Sequence, residues 1–151
     1  MECNNNNSGK NLLAKAKQLL SDNQTESGIK LLIRFTNEYP DSIYLGIAYA
    51  LLSSANLDLQ NTKESISFAQ YAIEENPDNE FCSMALYLSY SEANMDSKAI
   101  RELKRFLSKN KANLYLTTLT ELIEGLEKGF GLAFEEDILL MARENNLISL
   151  N

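Results

Sequence analysis

The side chains that could do chemistry in this 151-residue chain are few and scattered. Histidine is absent from the sequence, which removes the commonest general base and metal ligand of proteins. Neighbouring acids such as Glu74 and Glu75 could in principle exchange protons, but adjacent residues of one helix do not face each other. No serine or cysteine has the flanking glycines of a nucleophile elbow, and no Walker loop occurs. The sequence therefore predicts a protein that is not an enzyme and binds no cofactor or catalytic metal.

Two cysteines and one glycine pair are the remaining candidates for a ligand site. Cys3 and Cys82 are far apart in the sequence, which predicts neither a disulfide framework nor a metal knot. We expect Cys3 to be a free thiol in a disordered tail and Cys82 to be a small core residue. The segment Gly129-Phe130-Gly131 ends a predicted helix rather than opening one after a strand, so it suits a helix C-cap better than a phosphate loop.

The net charge of the chain limits the classes of partner that it can bind. Fourteen basic and 21 acidic residues give a formal net charge of −7, which opposes non-specific binding to nucleic acid. An acidic surface favours solubility or a basic protein partner. No apolar run approaches the ~18 residues that a membrane span needs, and the start Met1-Glu2-Cys3 does not resemble a signal peptide. The sequence predicts a cytoplasmic protein with no nucleic-acid or membrane contact; a lipoprotein tether at Cys3 of a longer precursor is the alternative.

The elements that must position these residues are helices. From Gly9 onward, apolar residues at i, i+3 and i+4 alternate with short polar breaks. Pro40 and Pro77 cannot extend the helices before them. The pattern predicts a disordered Asn-rich tail over 1–8, helical repeats over 9–128, and a C-terminal capping helix and tail over 129–151. Helices are expected over 9–22, 25–39, 42–56, 61–76, 79–94, 96–110, 112–128 and 133–146.

The second helices of three predicted hairpins repeat at intervals of 37 and 34 residues. A small residue begins the pattern, and three apolar positions follow it at helical spacing. A period near 34 with two helices in each unit is typical of a solenoid. The predicted fold class is therefore all-α, an antiparallel helix-hairpin solenoid of about three repeats with capping helices. The four aligned columns are Gly28, Ser65 and Ala99; Ile29, Ile66 and Ile100; Leu32, Ala69 and Leu103; and Phe35, Ala72 and Phe106.

Over about residues 9–113 this pattern resembles the tetratricopeptide repeat (TPR) family. The third hairpin matches best, with Leu86, Tyr90 and Ala99 at family positions. Departures occur on the first helices, where Ser83 stands at the family's tryptophan position and Tyr87 at its glycine. The second unit carries about three extra residues, which we expect around Asp58-Leu59-Gln60-Asn61. The alternative is a generic antiparallel helical domain.

The resemblance implies that the first helix of each hairpin lines a concave surface that holds another protein. The family's clamp for a chaperone carboxylate is missing, since its first-unit position holds Leu13 and an asparagine position holds Lys17. The implied surface is mostly apolar, although such a stripe can equally be core. Its predicted members are Leu13, Lys17, Tyr44, Ile47, Leu51, Phe81, Met84, Leu88, Tyr115, Thr118 and Leu122.

Charged residues are segregated along the chain. Basic residues concentrate between Lys98 and Lys111, whereas acids dominate before and after that segment. These patches can be solvated helix faces, an acidic surface for a basic partner, or a basic surface for self-association. The acids at 135–137 also lie in a predicted first helical turn, where the helix dipole favours them. The predicted patches are Lys98, Arg101, Lys104 and Arg105; Glu121, Glu124 and Glu127; and Glu135, Glu136 and Asp137.

Three functions follow from these features. The leading prediction is an adaptor or escort that binds one protein or peptide through an apolar groove, for example in the manner of a type III secretion chaperone. A second is an acidic immunity protein that neutralises a cognate toxin. The third is a structural homo-oligomer in which charge patches or the apolar stripe pair subunits. A monomer or homodimer is expected.

Overall fold

The computed structural model describes the backbone of residues 2–149 and the side chains of residues 7–149. Across those residues the chain is all-helical, with eight α-helices, one short 3-10 turn and no strand. The helices are α1 Glu2–Ser21, α2 Thr25–Glu38, α3 Leu45–Asp58, α4 Thr62–Glu75, α5 Glu80–Glu92, α6 Asp96–Leu107, α7 Tyr115–Glu127 and α8 Glu135–Glu144, with the 3-10 turn at Leu132–Phe134.

Consecutive helices pack in neighbouring pairs, which confirms the predicted all-α helix-hairpin solenoid. The hairpins are α1–α2, α3–α4, α5–α6 and α7–α8. Each of the first two hairpins continues into the next, because α2 packs on α3 and α4 packs on α5. The first helices α3 and α5 also lie side by side. None of the described helices combines the length and apolar character required to cross a bilayer.

The turn inside each hairpin has the same backbone geometry. Asn23, Gln60, Asn94 and Gly129 all have positive φ, at intervals of 37, 34 and 35 residues. At each turn this residue donates its N–H to a carbonyl three residues earlier, and the next residue donates to one five residues earlier. This is the Schellman arrangement, which satisfies the free carbonyls at a helix end. The repeat is therefore visible in the backbone as the same turn conformation at regular intervals. The predicted C-cap role of Gly129 is confirmed.

The extra residues of the second unit do not lie at the hairpin turn. The turn 59–61 has three residues, as do the turns 22–24 and 93–95. The connection before α3 spans 39–44, whereas the connection before α5 spans only 76–79, and α3 is one residue longer than α5. The expected position around 58–61 is therefore wrong. A Schellman turn has a fixed length, so the added residues fall before it, two in the connection between hairpins and one in α3.

The first helix starts earlier than the sequence pattern predicted. α1 begins at Glu2, whereas residues 1–8 were expected to form a disordered tail and the helix was expected from Gly9. Asparagine costs less than about 0.7 kcal/mol per residue in a helix, and no proline interrupts this segment, so a helix can continue through it. The side chain of Cys3 lies outside the described residues, as does Met1.

The aligned columns of the second helices form the seams of the core. The columns of Leu32 and Phe35 are almost entirely shielded from solvent in all three hairpins. The small column is needed for close approach, because a Cβ on Gly28 would lie 2.5 Å from a methyl group of Leu20 on α1. Cys82 is buried, as expected. At the C-terminal end, Ile138 of α8 is fully buried against the third and fourth hairpins.

Candidate functional site

A partly accessible apolar surface that unites two first helices lies on α3 and α5. Each helix presents three apolar residues at spacing i, i+3 and i+7, which places them on one side of the helix. The turns that follow α3 and α5 are 34 residues apart, which makes Phe81 the repeat equivalent of Ile47, and the two helices pack together. We call this surface the open face. It consists of Tyr44, Ile47, Leu51, Phe81, Met84 and Leu88, all of which belong to the predicted groove.

The side chains of the open face are only partly buried by the core. Leu88 keeps 41% of its surface exposed, and the other five side chains are half-buried. They pack along the edges of three core clusters rather than inside them. Polar residues follow the trios along each helix, since Asp58 and Glu92 end α3 and α5. The open face is thus an apolar strip with an acidic residue at one end of each helix.

The residues that α1 contributes to the predicted groove differ from the expected ones. Leu13 is buried in the cluster formed by α1, α2 and α3, so its place in the groove is wrong. The offset between the first two hairpins is 37 residues, which makes Lys10, not Leu13, the equivalent of Ile47. The Lys10 Nζ atom lies 5.8 Å from the ring centre of Tyr44, at cation–π distance. Lys17 is exposed, as a groove residue would be.

The seventh helix is turned so that predicted groove residues face the core. Tyr115 has no exposed surface and Thr118 is buried, so both are core residues and their groove assignment is wrong. Leu122 is half-buried against the same cluster. This helix has α5 and α6 on one side and α8 next to it, so its apolar side is used for attachment. The open face therefore spans two helices rather than four.

Tyr115 is held by buried polar groups on the third hairpin. Its hydroxyl lies 2.9 Å from the Ser83 hydroxyl, which donates to Glu102 Oε1 at 2.7 Å. Arg105 donates to both oxygens of Glu102, from Nε at 2.8 Å and from Nη2 at 2.7 Å. Burial raises the pKa of Tyr115 far above its ordinary value, and the hydrogen bond to Glu102 raises the pKa of Arg105.

Glu80 completes this attachment at the start of α7. Its Oε1 atom accepts hydrogen bonds from the backbone N–H groups of Asn113 and Tyr115, at 2.8 and 2.9 Å. First-turn amides have no partner within their own helix, so a carboxylate is well suited to satisfy them. Arg105 Nη2 also donates to the Pro77 carbonyl at 2.9 Å. We call Glu80, Ser83, Glu102, Arg105 and Tyr115 the polar clamp.

A second buried polar group lies between α3, α4 and α5. The hydroxyls of Ser53, Ser65 and Ser89 lie 2.7–3.0 Å from each other, and Ser89 also donates to the Ala85 carbonyl at 2.7 Å. Three hydroxyl protons cannot serve four contacts, so one contact between oxygens carries no hydrogen bond. The group is closed and has no access from solvent. It is a packing device, and only Ser65 was marked by the sequence, as a small residue.

The predicted basic patch is partly neutralised inside the molecule. Lys104 forms an ion pair with Asp137 of α8 at 2.6 Å, and Arg105 pairs with Glu102. No ion pair joins Lys98 or Arg101 to an acid among the described residues. The patch therefore divides into two residues that attach helices and two that stay available to solvent.

The predicted acidic patches lie mostly in solvent. Glu121, Glu124 and Glu127 on α7 are exposed, as are Glu135 and Glu136 in the first turn of α8. None of these five takes part in an ion pair within residues 7–149. Their placement fits solvated helix faces as well as a surface for a basic partner.

Burial makes the Cys82 thiol a poor nucleophile. It raises the pKa of the Cys82 thiol to about 11, so the reactive thiolate is scarce at neutral pH. Burial likewise raises the pKa of Tyr87 and Tyr49. Within the described residues, no group of three or more Cys, Asp or Glu side chains has the arrangement of a metal site.

Comparisons with known proteins found no family model that matches this chain and no curated protein that matches it either. The resemblance to tetratricopeptide repeats therefore stays a prediction, and the functional argument depends on the surfaces themselves.

Proposed function

We propose that the protein is a non-catalytic interaction module that binds a partner protein or peptide through the open face. The observation that carries this proposal is the pair of apolar trios on α3 and α5, with Leu88 41% exposed at the end of the second trio. Exposed apolar residues are ordinary when single, whereas a contiguous apolar strip is typical of an interaction surface.

The occupant that fits is a short segment with several apolar anchors. Each large side chain that a ligand buries completely contributes roughly 1.5–3 kcal/mol before ordering costs. The half-buried members offer a part of that range, so several anchors must act together. An amphipathic helix or an extended segment can supply them. Because Asp58 and Glu92 follow the trios, a basic residue beyond the anchors would be favoured.

An escort chaperone or adaptor would use the open face in this way, and its partner would be a protein with an apolar segment. An acidic immunity protein would instead place its exposed acids against a basic toxin. The two versions differ in the variant that destroys binding, since the first depends on the apolar trios and the second on Glu121, Glu124 and Glu127.

The test is affinity capture from the native cell with identification by mass spectrometry. Leu88→Lys should remove the specific partner, because it replaces the most exposed apolar side chain of the open face with a charged one. Leu140→Lys is the matched control, since Leu140 is 47% exposed and lies on α8. Light scattering on the purified protein identifies the third possibility, a homodimer that Leu88→Lys dissociates.

Three outcomes oppose the proposal. The first is partner capture that survives Leu88→Lys and fails in Glu121→Gln with Glu124→Gln, which would favour the immunity protein. The second is a homodimer that uses the open face. The third is unfolding by Tyr44→Ala with Phe81→Ala, seen in circular dichroism, which would make those residues core.

A further inference from the structure

A surface cavity of about 320 Å³ lies between α5 and α6, away from the open face. Leu86 and Tyr90 of α5 form part of its wall, and at 100° per residue each lies about 160° around the helix from Leu88. Three of its six lining residues are cations, which is unusual in a chain with a net charge of −7. The lining residues are Leu86, Tyr90, Lys98, Arg101, Glu102 and Arg105.

The cations of this cavity have donors to spare. Lys98 and Arg101 are exposed and lie outside the ion pairs of the described residues. Lys98 Nζ lies 5.5 Å from the ring centre of Tyr90, which holds the ammonium group over the cavity wall. The Tyr90 oxygen accepts a hydrogen bond from Gln70 at 3.3 Å. Its own proton is therefore free for a ligand, since a phenol both donates and accepts.

Arg105 adds one more set of donors, although its own charge is paired with that of Glu102. The three hydrogen bonds of Arg105 use Nε and Nη2, which leaves the two hydrogens of Nη1. Both oxygens of Glu102 accept from Arg105, and one also accepts from Ser83. That carboxylate is committed to the polar clamp. The three cations and one carboxylate of the lining sum to a formal charge of +2, and Asp78 acts on Arg105 from outside the lining.

Like charges at helical spacing also have a cost that a ligand would remove. Lys98, Arg101 and Arg105 follow each other at intervals of three and four residues, and such pairs destabilise a helix by about 0.2–0.5 kcal/mol each. Glu102 neutralises Arg105, whereas no acid among the described residues forms an ion pair with Lys98 or Arg101. The arrangement is explained if the cations bind an anion that is not part of the chain.

We propose that this cavity binds a phosphate monoester, as carried by a phosphorylated side chain of a peptide. Such a group has a charge of about −1.5 to −2 at pH 7, which matches the local +2, whereas one carboxylate would leave an unbalanced cation. Its oxygens can accept from Lys98, Arg101, Arg105 and Tyr90 together. The cavity is at the small end of the roughly 300–1,000 Å³ of ligand pockets, so it suits one side chain rather than a large cofactor.

The test uses the whole chain and follows backbone amide signals by NMR at constant ionic strength. The probes are O-phosphoserine, inorganic phosphate and glutamate. O-phosphoserine should produce saturable shifts at α5 and α6, and glutamate should bind at least about tenfold more weakly. Lys98→Gln with Arg101→Gln should weaken O-phosphoserine binding about tenfold or more. Lys15→Gln with Lys30→Gln removes the same charge from exposed positions on α1 and α2, and should leave Kd within about twofold.

Each result decides the proposal. It is supported by saturable O-phosphoserine binding that the first double variant weakens and the second does not. If inorganic phosphate binds as tightly as O-phosphoserine, the ligand is the free phosphate ion. That result overturns the peptide part of the proposal. Glutamate that binds as well overturns the phosphate class, and equal weakening by both double variants overturns the site. Because the open face is untouched by these variants, loss of partner capture through Leu88→Lys is a separate result.

Discussion

The middle of the stack and its C-terminal end are held together by different chemistry. Where α3, α4 and α5 meet, the seam consists of small residues such as Ala50, Ala69 and Ala85, all buried. Small side chains let helix backbones approach closely, and the contacts of the alanines have no preferred direction. The closed group of Ser53, Ser65 and Ser89 is the hydrogen-bonded exception in this seam. Where α7 joins α5 and α6, a large aromatic residue, Tyr115, reaches into the third hairpin and bonds to Ser83. The terminal hairpin is therefore attached by directional hydrogen bonds around one buried ring.

This difference identifies the part of the stack that positions the open face. The open face lies on α3 and α5, which belong to the closely packed middle. The terminal hairpin covers the end of the stack, as the last unit of a solenoid must. A substitution that breaks the polar clamp should detach α7 and α8 and leave the open face intact. A substitution that disrupts the small-residue seam should alter the open face itself.

Removing the ring of the clamp should have the largest effect. Tyr115→Ala leaves a cavity and removes the hydroxyl partner of Ser83, and should lower the free energy of unfolding by about 3–5 kcal/mol in urea titrations. Tyr71→Ala, at a position 49% exposed, is the matched control and should cost much less. Amide exchange should increase in α7 and α8 while α3 stays protected. Equal loss of protection in every helix would contradict the comparison between the two regions.

Enlarging the seam should have the next largest effect. Ala69→Leu forces extra atoms into a site with no exposed surface and should cost about 1–3 kcal/mol in the same titrations. Ala14→Leu makes the same change at an exposed position of α1 and should be nearly neutral. The comparison predicts that Ala69→Leu also weakens partner capture. If Ala69→Leu folds and still captures the partner as well as the natural chain does, the seam does not position the open face.

The buried thiol in the same seam should make stability depend on alkaline pH. Cys82 has a pKa near 11 when folded, against an ordinary value of about 8.5, so the unfolded chain releases the proton first. Stability should be unaffected below about pH 8.5 and should fall as pH rises toward 11. Urea titrations at several pH values should show a smaller fall for Cys82→Ala than for the natural chain. Identical slopes would mean that the thiol is not shielded in the folded state.

The smallest effect is expected from the surface ion pair of the terminal hairpin. Lys104→Gln removes the contact to Asp137, but both groups are partly exposed, so the cost should be about 0.2–1 kcal/mol. Adding salt should reduce the difference. Lys109→Gln is a control at an exposed position of the α6–α7 connection. A loss above about 2 kcal/mol would show that charge, rather than the buried clamp, holds α8.

The sequence predicted the all-helical fold and the buried columns of the second helices, because those helices have neighbours on both sides and repeat their small and apolar residues. It also predicted the apolar trios of α3 and α5. It failed on Leu13 because a three-residue change of register cannot be located from spacing alone. It failed on Tyr115 because the rotation of an end helix depends on contacts with Ser83, 32 residues earlier in the chain. Such long-range polar pairs leave no periodic signal.

The difference between the two regions is tested most directly by native-state hydrogen exchange on the unaltered chain, followed residue by residue with increasing urea. We expect amides of α3 and α5 to open only in global unfolding, and amides of α7 and α8 to open earlier as one unit. The open face would then be a preformed surface on the most stable part of the molecule. If α3 and α5 open first, while the terminal hairpin stays protected, the surface is not preformed and the proposed function loses its structural basis.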